Sequence, residues 1–414
     1  MGTSSTSTPP PSERPRCPHY PQCAGCSLSG TAYGAQLRLK QTRVIDAVAA
    51  HPRLAGLEVH EIIGSPRVFG YRNQAKLVAH RTRRGVVFGV YRPGTHDVVD
   101  AAACPVYQAP IPAVLAAVRD AVEHAAAPIY DPRRGIGWLR YVLVRSSAWK
   151  KTAQLILVVR DRSWAGEAAL LRRLRRVRGV SSVVLNLNPT TGNVILGRTF
   201  IAASRETALL ERVGGLCLRS SAGAFLQANV AAVRRVYQQT LAWADPQPDD
   251  TAVDLYAGVG AISFHLAGRA RLVIGVEASR VAVLDAQRNI RLNGYHNVRF
   301  ATAAAADGLT QAAAQLEQVD LITLNPPRKG ADDACRAAIA ACAPSRIVYV
   351  SCDPATLARD LDWFAAHGYA TVALQPYDLL PQTEHVECVA LLRRAGGGEP
   401  RRRRAHVGGA TTLS

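Results

Sequence analysis

The chain has 414 residues, 48% of them hydrophobic, which is enough to form two or three domains with buried cores. Its 50 lysines and arginines against 31 aspartates and glutamates give a formal charge of +19, which favours a polyanionic partner such as nucleic acid. No run approaches the ~18 apolar residues of a membrane span, and residues 1–16 lack the apolar core of a secretory signal. We therefore predict a cytoplasmic protein without membrane attachment, whose cysteines serve a metal or a reaction rather than disulfides.

Three of the nine cysteines lie in one short N-terminal segment, at Cys17, Cys23 and Cys26. The next cysteine along the chain is Cys104, after a long gap. Three thiolates in a tight loop, with a fourth brought in by folding, can enclose either an iron-sulfur cluster or a tetrahedral zinc ion. The spacing alone does not distinguish the two, although the Pro and Gly residues of the loop favour turns that bring ligands together.

A predicted helix and a β-rich region follow the cysteine segment. Polar and apolar residues at 36–50 have helical spacing. Segments rich in Val, Tyr and Phe, broken by Gly and Pro, predict antiparallel strands at 70–76, 85–91 and 139–144. A further amphipathic helix is predicted at 170–177.

Basic and aromatic side chains alternate through the predicted strands. This mixture suits phosphate contacts beside the stacking of unpaired RNA bases. For any single arginine, a solvated sheet face is the simpler explanation. The residues concerned are Arg72, Lys76, Arg140 and Arg145, with Tyr71, Tyr91 and Trp138 between them.

From Thr251 onward, strands alternate with helices, which predicts a parallel α/β sheet. A strand runs into a Gly-rich turn at 252–260, and a helix follows at 261–267. The next strand, 272–276, ends in Glu277, whose carboxylate can bind ribose hydroxyls. Because the turn lacks the third glycine of the dinucleotide fingerprint, S-adenosylmethionine fits better than a dinucleotide.

Two residues near the C-terminus predict the chemistry. Cys352 ends an apolar strand pattern, and Glu387 follows later in the same domain. A thiolate that adds to C6 of uracil pushes electron density onto C5, which can then take a methyl group. A base must then remove the C5 proton so that the thiol can leave. The pair predicts methylation of uracil C5.

The ordered motifs of the chain resemble the RNA uracil-5-methyltransferase family. They are F-L-Q-A-N, D-L-Y-A-G-V-G, V-E-A-S, N-P-P-R-K-G, V-S-C-D-P and Q-T-E-H-V-E. The four cysteines and Y-R-N-Q-A-K at 71–76 resemble its iron-sulfur members, so that the resemblance covers roughly residues 17–392. It implies an α/β fold, in which a Rossmann-like S-adenosylmethionine-dependent methyltransferase domain follows an iron-sulfur segment and an antiparallel β-rich domain.

The resemblance also implies the site residues. It places a 4Fe-4S cluster, rather than zinc, on the four cysteines named above. It makes Cys352 the nucleophile and Glu387 the base. Around S-adenosylmethionine it places Gln227, Tyr256, Glu277 and Asn325.

Two departures from the usual family motifs bear on the substrate and the nucleophile. Asn325 stands where many members have Asp, and no extra RNA-binding β-barrel precedes Cys17; both features resemble the branch that modifies a hairpin-loop uridine of 23S rRNA. Asp353 stands where members usually have Asn, beside the nucleophile. A negative charge there would raise the pKa of the thiol, and we expect Asp353 to form a turn hydrogen bond instead.

These observations predict five segments and a monomer that binds RNA. The segments are a disordered tail at 1–16, an iron-sulfur and RNA-contacting region at 17–106, a β-rich RNA-binding domain at 107–247, the methyltransferase domain at 248–395 and a basic disordered tail at 396–414.

Three alternatives to 23S rRNA methylation stay open. The chain could methylate uridine in tRNA by the same chemistry. It could be a noncatalytic iron-sulfur RNA-binding protein that has kept the fold. The motif N-P-P also occurs in methylases of exocyclic amines, but an aromatic residue follows it there, whereas this chain has Arg328. Such enzymes need no thiol.

Overall fold

The computed structural model describes residues 17–192 and 194–396 of the chain. The two tails that we predicted to be disordered, 1–16 and 396–414, lie outside the described residues except for Gly396. No helix in the described ranges is both long and apolar enough to cross a membrane.

The N-terminal half of the described chain is built around one seven-stranded sheet. Its helices are α1 (Tyr33–Ala49), α2 (Ile111–His124) and α3 (Glu167–Leu174), and a short 3-10 turn covers Pro52–Leu54. Its strands are β1 (Gln74–Thr82), β2 (Gly85–Tyr91), β3 (Val98–Asp100), β4 (Leu139–Ser147), β5 (Thr152–Val159), β6 (Val180–Leu187) and β7 (Thr199–Ala202). They lie in the order β3-β2-β1-β4-β5-β6-β7, in which β5 and β6 are parallel.

This sheet crosses the domain boundary that the sequence predicted at residue 106. β1 precedes that boundary and β4 follows it, yet the two strands pair from Gln74 opposite Arg145 to Val78 opposite Tyr141. The local pattern of apolar residues predicts a strand, but the choice of partner depends on residues far away in the chain. All seven strands between residues 74 and 202 therefore belong to one sheet, so the predicted division at residue 106 falls inside a single sheet rather than between two domains.

Helix α1 packs on the C-terminal half of the chain. Val44 and Val48 of α1, and Leu54 after it, are buried in one core with Leu361 and Phe364. The sequence grouped these residues with the cysteine segment, because helical spacing shows that a helix has an apolar face but not which core that face covers.

A two-stranded hairpin joins the halves, formed by β8 (Ala208–Val213) and β9 (Leu216–Ser221). Asparagine side chains of the C-terminal half hold β9. The backbone N–H of Cys217 donates to Oδ1 of Asn293, and that of Arg219 donates to Oδ1 of Asn289, each at 2.8 Å. The loop that follows Ser221 leads into the C-terminal half.

The C-terminal half is an α/β unit around a second seven-stranded sheet. Its helices are α4 (Val230–Ala244), α5 (Ala261–Ala267), α6 (Arg280–Asn293), α7 (Ala305–Gln315), α8 (Asp333–Cys342) and α9 (Pro354–Ala366). Its strands are β10 (Thr251–Leu255), β11 (Leu272–Glu277), β12 (Val298–Thr302), β13 (Leu321–Leu324), β14 (Arg346–Ser351), β15 (Tyr369–Tyr377) and β16 (Glu387–Arg394). The predicted α/β fold is confirmed, and α5 begins and ends where it was predicted.

The order of this sheet determines where a ligand can bind. The strands lie in the order β12-β11-β10-β13-β14-β16-β15, with β10 to β14 parallel and β16 antiparallel to both neighbours. β10, β13 and β14 are buried along their whole length, as expected for strands covered by helices on both faces. The order reverses between β10 and β13, so ligands are expected outside the carboxyl ends of these strands.

Candidate active site

The two residues predicted to do the chemistry lie at the same end of two neighbouring strands. Ser351, the last residue of β14, pairs with Cys388 of the antiparallel strand β16. Cys352 follows Ser351 and Glu387 precedes Cys388, so both lie at the same end of this strand pair, where the Glu387 carboxylate raises the pKa of the Cys352 thiol. Folding thus brings together a thiol and a carboxylate that are distant in sequence.

Both side chains ionise less readily than they would in water. Burial raises the pKa of Glu387 to about 7, and only 7% of this residue is exposed. Burial also raises the pKa of the Cys352 thiol; the Glu387 carboxylate adds to this effect, and the Arg328 guanidinium opposes it. A carboxyl group with a pKa near neutrality is suited to accepting a proton and releasing it again.

Asp353, beside the thiol, is the N-cap of α9. Its Oδ1 accepts hydrogen bonds from the backbone N–H groups of Ala355 and Thr356, each at 3.1 Å. These donors and the positive end of the helix dipole stabilise the carboxylate. The predicted turn hydrogen bond is therefore confirmed, and Asp353 contributes less than Glu387 to the raised pKa of Cys352.

The N-P-P-R-K-G loop brings Arg328 from the end of β13 to the thiol. Nη2 of Arg328 lies 3.0 Å from Nε2 of His385. The Arg328 carbonyl accepts a hydrogen bond from Oγ1 of Thr356 at 3.1 Å. Burial lowers the pKa of His385 and Arg328 lowers it further, which favours the neutral imidazole. The helix that follows the nucleophile thus also holds the loop that carries the arginine.

The buried carboxylate of Asp360 on α9 fixes the end of that loop. It accepts hydrogen bonds from the Ala331 N–H at 2.8 Å and the Tyr349 hydroxyl at 2.6 Å. Gly330 has a φ of +77°, and a Cβ there would lie 2.5 Å from Oδ2 of Asp360. Only glycine fits this position without strain. Asp360 was not predicted as a site residue, because no local pattern shows that α9 faces the loop.

Three of the four predicted cofactor-binding residues lie side by side at the carboxyl edge of the sheet. Leu255 of β10 pairs with Val276 of β11 and with Leu324 of β13. Tyr256, Glu277 and Asn325 directly follow Leu255, Val276 and Leu324 in sequence. All three therefore lie at the same level of the carboxyl edge of the sheet. All three are partly exposed there, next to the position where the strand order reverses.

The Glu277 carboxylate is oriented by the glycine-rich turn. Its Oε2 accepts the Gly258 N–H at 3.0 Å, and its Oε1 accepts the Ser279 N–H at 2.7 Å. Gly258 has a φ of +57°, and a Cβ there would meet nothing within 4 Å. The turn therefore leaves open space beside a fixed carboxylate that still has acceptor capacity, which suits the recognition of ribose.

Asp254 supports this edge from inside the sheet, although it was not predicted as a site residue. Its two carboxylate oxygens accept hydrogen bonds from the hydroxyls of Ser263 on α5, at 2.5 Å, and Thr323 on β13, at 2.7 Å. Burial raises its pKa to about 6. The residue that follows this strand, Tyr256, has a φ of +59°, which is unusual for a non-glycine residue. Asp254 is visible in the sequence as an acid inside an apolar strand.

The fourth predicted cofactor-binding residue, Gln227, lies in a loop that the N-terminal half holds in place. Nδ2 of Asn73 donates to the Gln227 carbonyl, and the Asn73 N–H donates to the Ala228 carbonyl, each at 2.8 Å. Asn229 caps α4 and donates to the Leu379 carbonyl at 2.9 Å. The Y-R-N-Q-A-K motif therefore positions the Gln227 loop, a role that its sequence did not predict.

The four predicted metal ligands line a single cavity. Cys17, Cys23, Cys26 and Cys104 surround it, with the basic residue Arg72 in the same wall. Burial raises the pKa of Cys26 to about 12, and neighbouring thiols add to the effect. Within 17–192 and 194–396, however, no group of three or more His, Cys, Asp or Glu side chains is arranged so that it could hold a metal ion. The structure gathers the thiols without showing a metal centre.

Residues close in sequence to the cysteine cavity form hydrogen bonds with the loop that precedes Glu387. Leu28, two residues after Cys26, donates its N–H to the Gln382 carbonyl at 2.9 Å. The amide of Gln36 on α1 exchanges two hydrogen bonds with Gln382, at 3.1 and 2.9 Å. The hydroxyl of Tyr71, which precedes the cavity residue Arg72, donates to the Pro381 carbonyl at 2.9 Å. The cysteine segment and the base-bearing loop therefore form one bonded unit.

Two of the basic residues predicted to contact RNA are buried instead. Arg140 donates to the carbonyls of Asn188 and Thr190, at 2.6 and 2.5 Å. Arg145 donates to Oγ of Ser220 at 2.6 Å. Both arginines thus bind other parts of the protein, so neither the RNA contact nor the solvated sheet face considered for them is observed. Alternation along a strand does not show which face is covered by a later segment of the chain.

The fold belongs to the class of α/β proteins that bind ligands at the carboxyl ends of parallel strands, and Cys352 lies at this same edge. Residues 161–395 match the family model described as tRNA (Uracil-5-)-methyltransferase. A Geobacter sulfurreducens protein described as an uncharacterized RNA methyltransferase is 41% identical to this chain; the match covers 92% of this chain and 77% of that protein. A similar protein from Halalkalibacterium halodurans is 35% identical, over 91% of this chain and 82% of its own length. The chain therefore belongs to the RNA (uracil-5-)-methyltransferase family.

A solved structure shares the fold. It is that of Pyrococcus abyssi tRNA (uracil-54, C5)-methyltransferase in complex with S-adenosyl-L-homocysteine. The TM-score is 0.71 at 23% identity, and the match covers 90% of this chain and 86% of that one.

Proposed function

We propose that this protein transfers a methyl group from S-adenosylmethionine to C5 of a uridine in RNA, through a covalent bond between Cys352 and C6. The observation that carries the proposal is that Cys352 and Glu387 lie together at one end of β14 and β16, at the same sheet edge as Tyr256, Glu277 and Asn325. A nucleophile, a base and a nucleoside-binding edge are the three components that the reaction needs.

The proposed reaction begins when the target uridine leaves its stack and enters the site. The thiolate of Cys352 forms a bond to C6, and the electron pair of the C5–C6 double bond becomes available at C5. C5 then bonds to the methyl group as the methyl–sulfur bond of the sulfonium breaks, which releases S-adenosylhomocysteine. Glu387 takes the C5 proton, the double bond re-forms, and the bond between sulfur and C6 breaks to restore the thiolate.

The charges around Cys352 support this sequence of events. Arg328 lowers the pKa of the thiol, against the effect of burial and of Glu387. An occupied site that excludes water strengthens this attraction between the guanidinium and the thiolate. The raised pKa of Glu387, about 7, lets this carboxylate hold the C5 proton after it is removed. His385 orients Arg328 through the contact between their side chains.

For S-adenosylmethionine we propose contacts with Gln227, Tyr256, Glu277 and Asn325. Glu277 has its carboxylate fixed by two backbone N–H donors and open space beside it, which supports ribose binding. The Asn325 amide can both donate and accept hydrogen bonds, so it can meet either the cofactor or the uracil ring.

The cysteine quartet is proposed to hold a 4Fe-4S cluster. Four thiols around one cavity are the donor set of such a cluster, and a bound cationic centre would offset the raised pKa values of the buried thiols. Methyl transfer moves no net electrons, so we propose a structural role. The hydrogen bonds from Leu28 and Tyr71 to the 381–382 loop would transmit order from the cavity to Glu387.

We propose 23S rRNA as the substrate, with a hairpin-loop uridine as the target. The resemblance of the Asn325 motif to that branch supports this choice. Transfer RNA is the alternative, since the family model and the Pyrococcus abyssi protein are both described as acting on tRNA. The chemistry at Cys352 is the same for either RNA.

The test combines product mapping with a nucleophile variant. Purified protein is incubated with S-adenosylmethionine and with RNA from a strain that lacks its gene, and 5-methyluridine is located by mass spectrometry of fragments. We expect one new 5-methyluridine in 23S rRNA, and none with Cys352→Ala. The mark on tRNA would keep the mechanism and change the substrate. Normal turnover by Cys352→Ala would refute the covalent mechanism, and RNA binding without any methylation would favour the noncatalytic alternative.

A further inference from the structure

An exposed cationic cluster surrounds a tryptophan, at the turn between β4 and β5. The turn contains Trp149 and Lys150, and Arg212 of β8 lies beside it. Nζ of Lys150 lies 3.9 Å from the centre of the Trp149 ring, and the guanidinium carbon of Arg212 lies 4.8 Å from it. Both basic side chains are exposed, and the indole is partly buried. We call Trp149, Lys150 and Arg212 the tryptophan clamp.

A buried carboxylate fixes the backbone on both sides of the clamp. Glu211 is 1% exposed. Its carboxylate accepts hydrogen bonds from the N–H groups of Ala148 at 2.7 Å, Trp149 at 3.2 Å and Arg212 at 2.8 Å. Because one side chain holds both segments, the turn and β8 keep a constant distance from each other. Trp149 and Arg212 are therefore presented together.

Stacking on the indole orders two side chains that would otherwise move freely. The interaction of a cation with an exposed tryptophan ring contributes about 0.5–1 kcal/mol. Immobilising a long side chain when a ligand binds costs about 0.5–1.5 kcal/mol, so stacking in the free protein offsets most of that cost. Across 17–192 and 194–396, no ion pair includes Lys150 or Arg212. The clamp thus presents two ordered side-chain cations outside any ion pair, above a Glu211 carboxylate that is hydrogen-bonded to backbone N–H groups.

We propose that the tryptophan clamp binds the phosphate backbone of the RNA substrate. The inference rests on the proposed function for the identity of that substrate. Two adjacent, pre-ordered cations match the phosphates of a polyanion. The indole acts by ordering Lys150 and Arg212, and it carries no sequence specificity itself.

The hairpin of β8 and β9 connects the clamp to the loop that carries Gln227. Arg212 pairs with Cys217 near the start of β9, and Ser221 ends that strand. Four residues of strand span about 13 Å. The loop that carries Gln227 begins directly after Ser221, so one short strand connects the clamp to this loop.

The test measures RNA binding, which does not depend on turnover. A fluorescein-labelled hairpin RNA with a uridine-containing loop is titrated with full-length protein at several salt concentrations, without S-adenosylmethionine. The clamp variant is Lys150→Gln with Arg212→Gln. The matched control is Arg172→Gln with Arg173→Gln, which removes two exposed charges from α3.

We expect the clamp variant to bind more weakly and its slope of log K against log salt to fall by about 1.4–1.8, the effect of losing two phosphate contacts. The control pair should keep the wild-type slope. Trp149→Ala should weaken binding with both cations present, whereas Trp149→Phe, which keeps an aromatic ring, should retain most of the affinity. Equal slopes for the clamp variant and the control would overturn the inference, even if methylation proceeds as proposed. Failure of methylation with a reduced slope would instead overturn the proposed function alone.

Discussion

Replacing Glu387 by Gln should stabilise the protein while removing its activity. The carboxyl group lies buried beside Cys352, and burial raises its pKa from 4.5 to about 7. The folded state therefore holds this proton more tightly than the unfolded state does. Stability from this group is fully present below pH 4.5 and is lost as the pH rises towards 7, because folding must then keep an ionised carboxylate away from water.

The size of the effect follows from the shift in pKa. Each unit of difference between the folded and unfolded states corresponds to about 1.4 kcal/mol, so ionised Glu387 costs the native state about 3 kcal/mol at pH 8. At pH 5 the cost is about 1 kcal/mol, since most of the group is still protonated in the folded state. A neutral glutamine of similar shape avoids this cost at both values of pH.

Urea unfolding of the wild type and Glu387→Gln, at pH 5 and pH 8, measures this difference. We expect the variant to be more stable by about 1 kcal/mol at pH 5 and about 3 kcal/mol at pH 8, and to accumulate the RNA adduct on Cys352 without releasing methylated product. A gain in stability that does not change with pH would refute the assignment of a raised pKa to Glu387. Normal product release by the variant would refute its role as the base.

Two further changes test how the loops around the site are held. Tyr71→Phe removes the 2.9 Å hydrogen bond to Pro381 and should cost about 1–2 kcal/mol in unfolding free energy, because it leaves a buried carbonyl unpaired; steady-state kinetics should show kcat falling more than KM rises. Gly330→Ala adds a Cβ 2.5 Å from Asp360 at a φ of +77°, so it should slow formation of the Cys352 adduct in single-turnover assays. Gly56→Ala, at a φ of +84° with nothing within 4 Å, should cost only about 1 kcal/mol of conformational energy and leave that rate unchanged.

Equal rates for the two glycine variants would show that the contact between Gly330 and Asp360 does not position the loop. For Tyr71→Phe, an unchanged kcat with reduced stability would limit the Tyr71 hydroxyl to a structural role. Both outcomes would separate the loop contacts from the chemistry at Cys352.

The sequence by itself was sufficient for features that depend on neighbouring residues. The strand at 85–91 and the helix at 261–267 have the bounds that were predicted for them, since apolar spacing and glycine turns act over a few residues. Asp353 caps α9 as its place beside a proline indicates. The motifs at the carboxyl edge could be predicted together, because parallel strands end at one edge of a sheet.

The tertiary structure alone decided which distant segments meet. The pairing of β1 with β4 across residue 106, the packing of α1 on the C-terminal core and the burial of Arg140 and Arg145 all depend on contacts between remote parts of the chain. The same is true of Asp360 and Asn73, whose hydrogen bonds position loops of the site. Local patterns show that a segment has an apolar face or a polar group, whereas the partner of that face or group is determined by the folded chain as a whole.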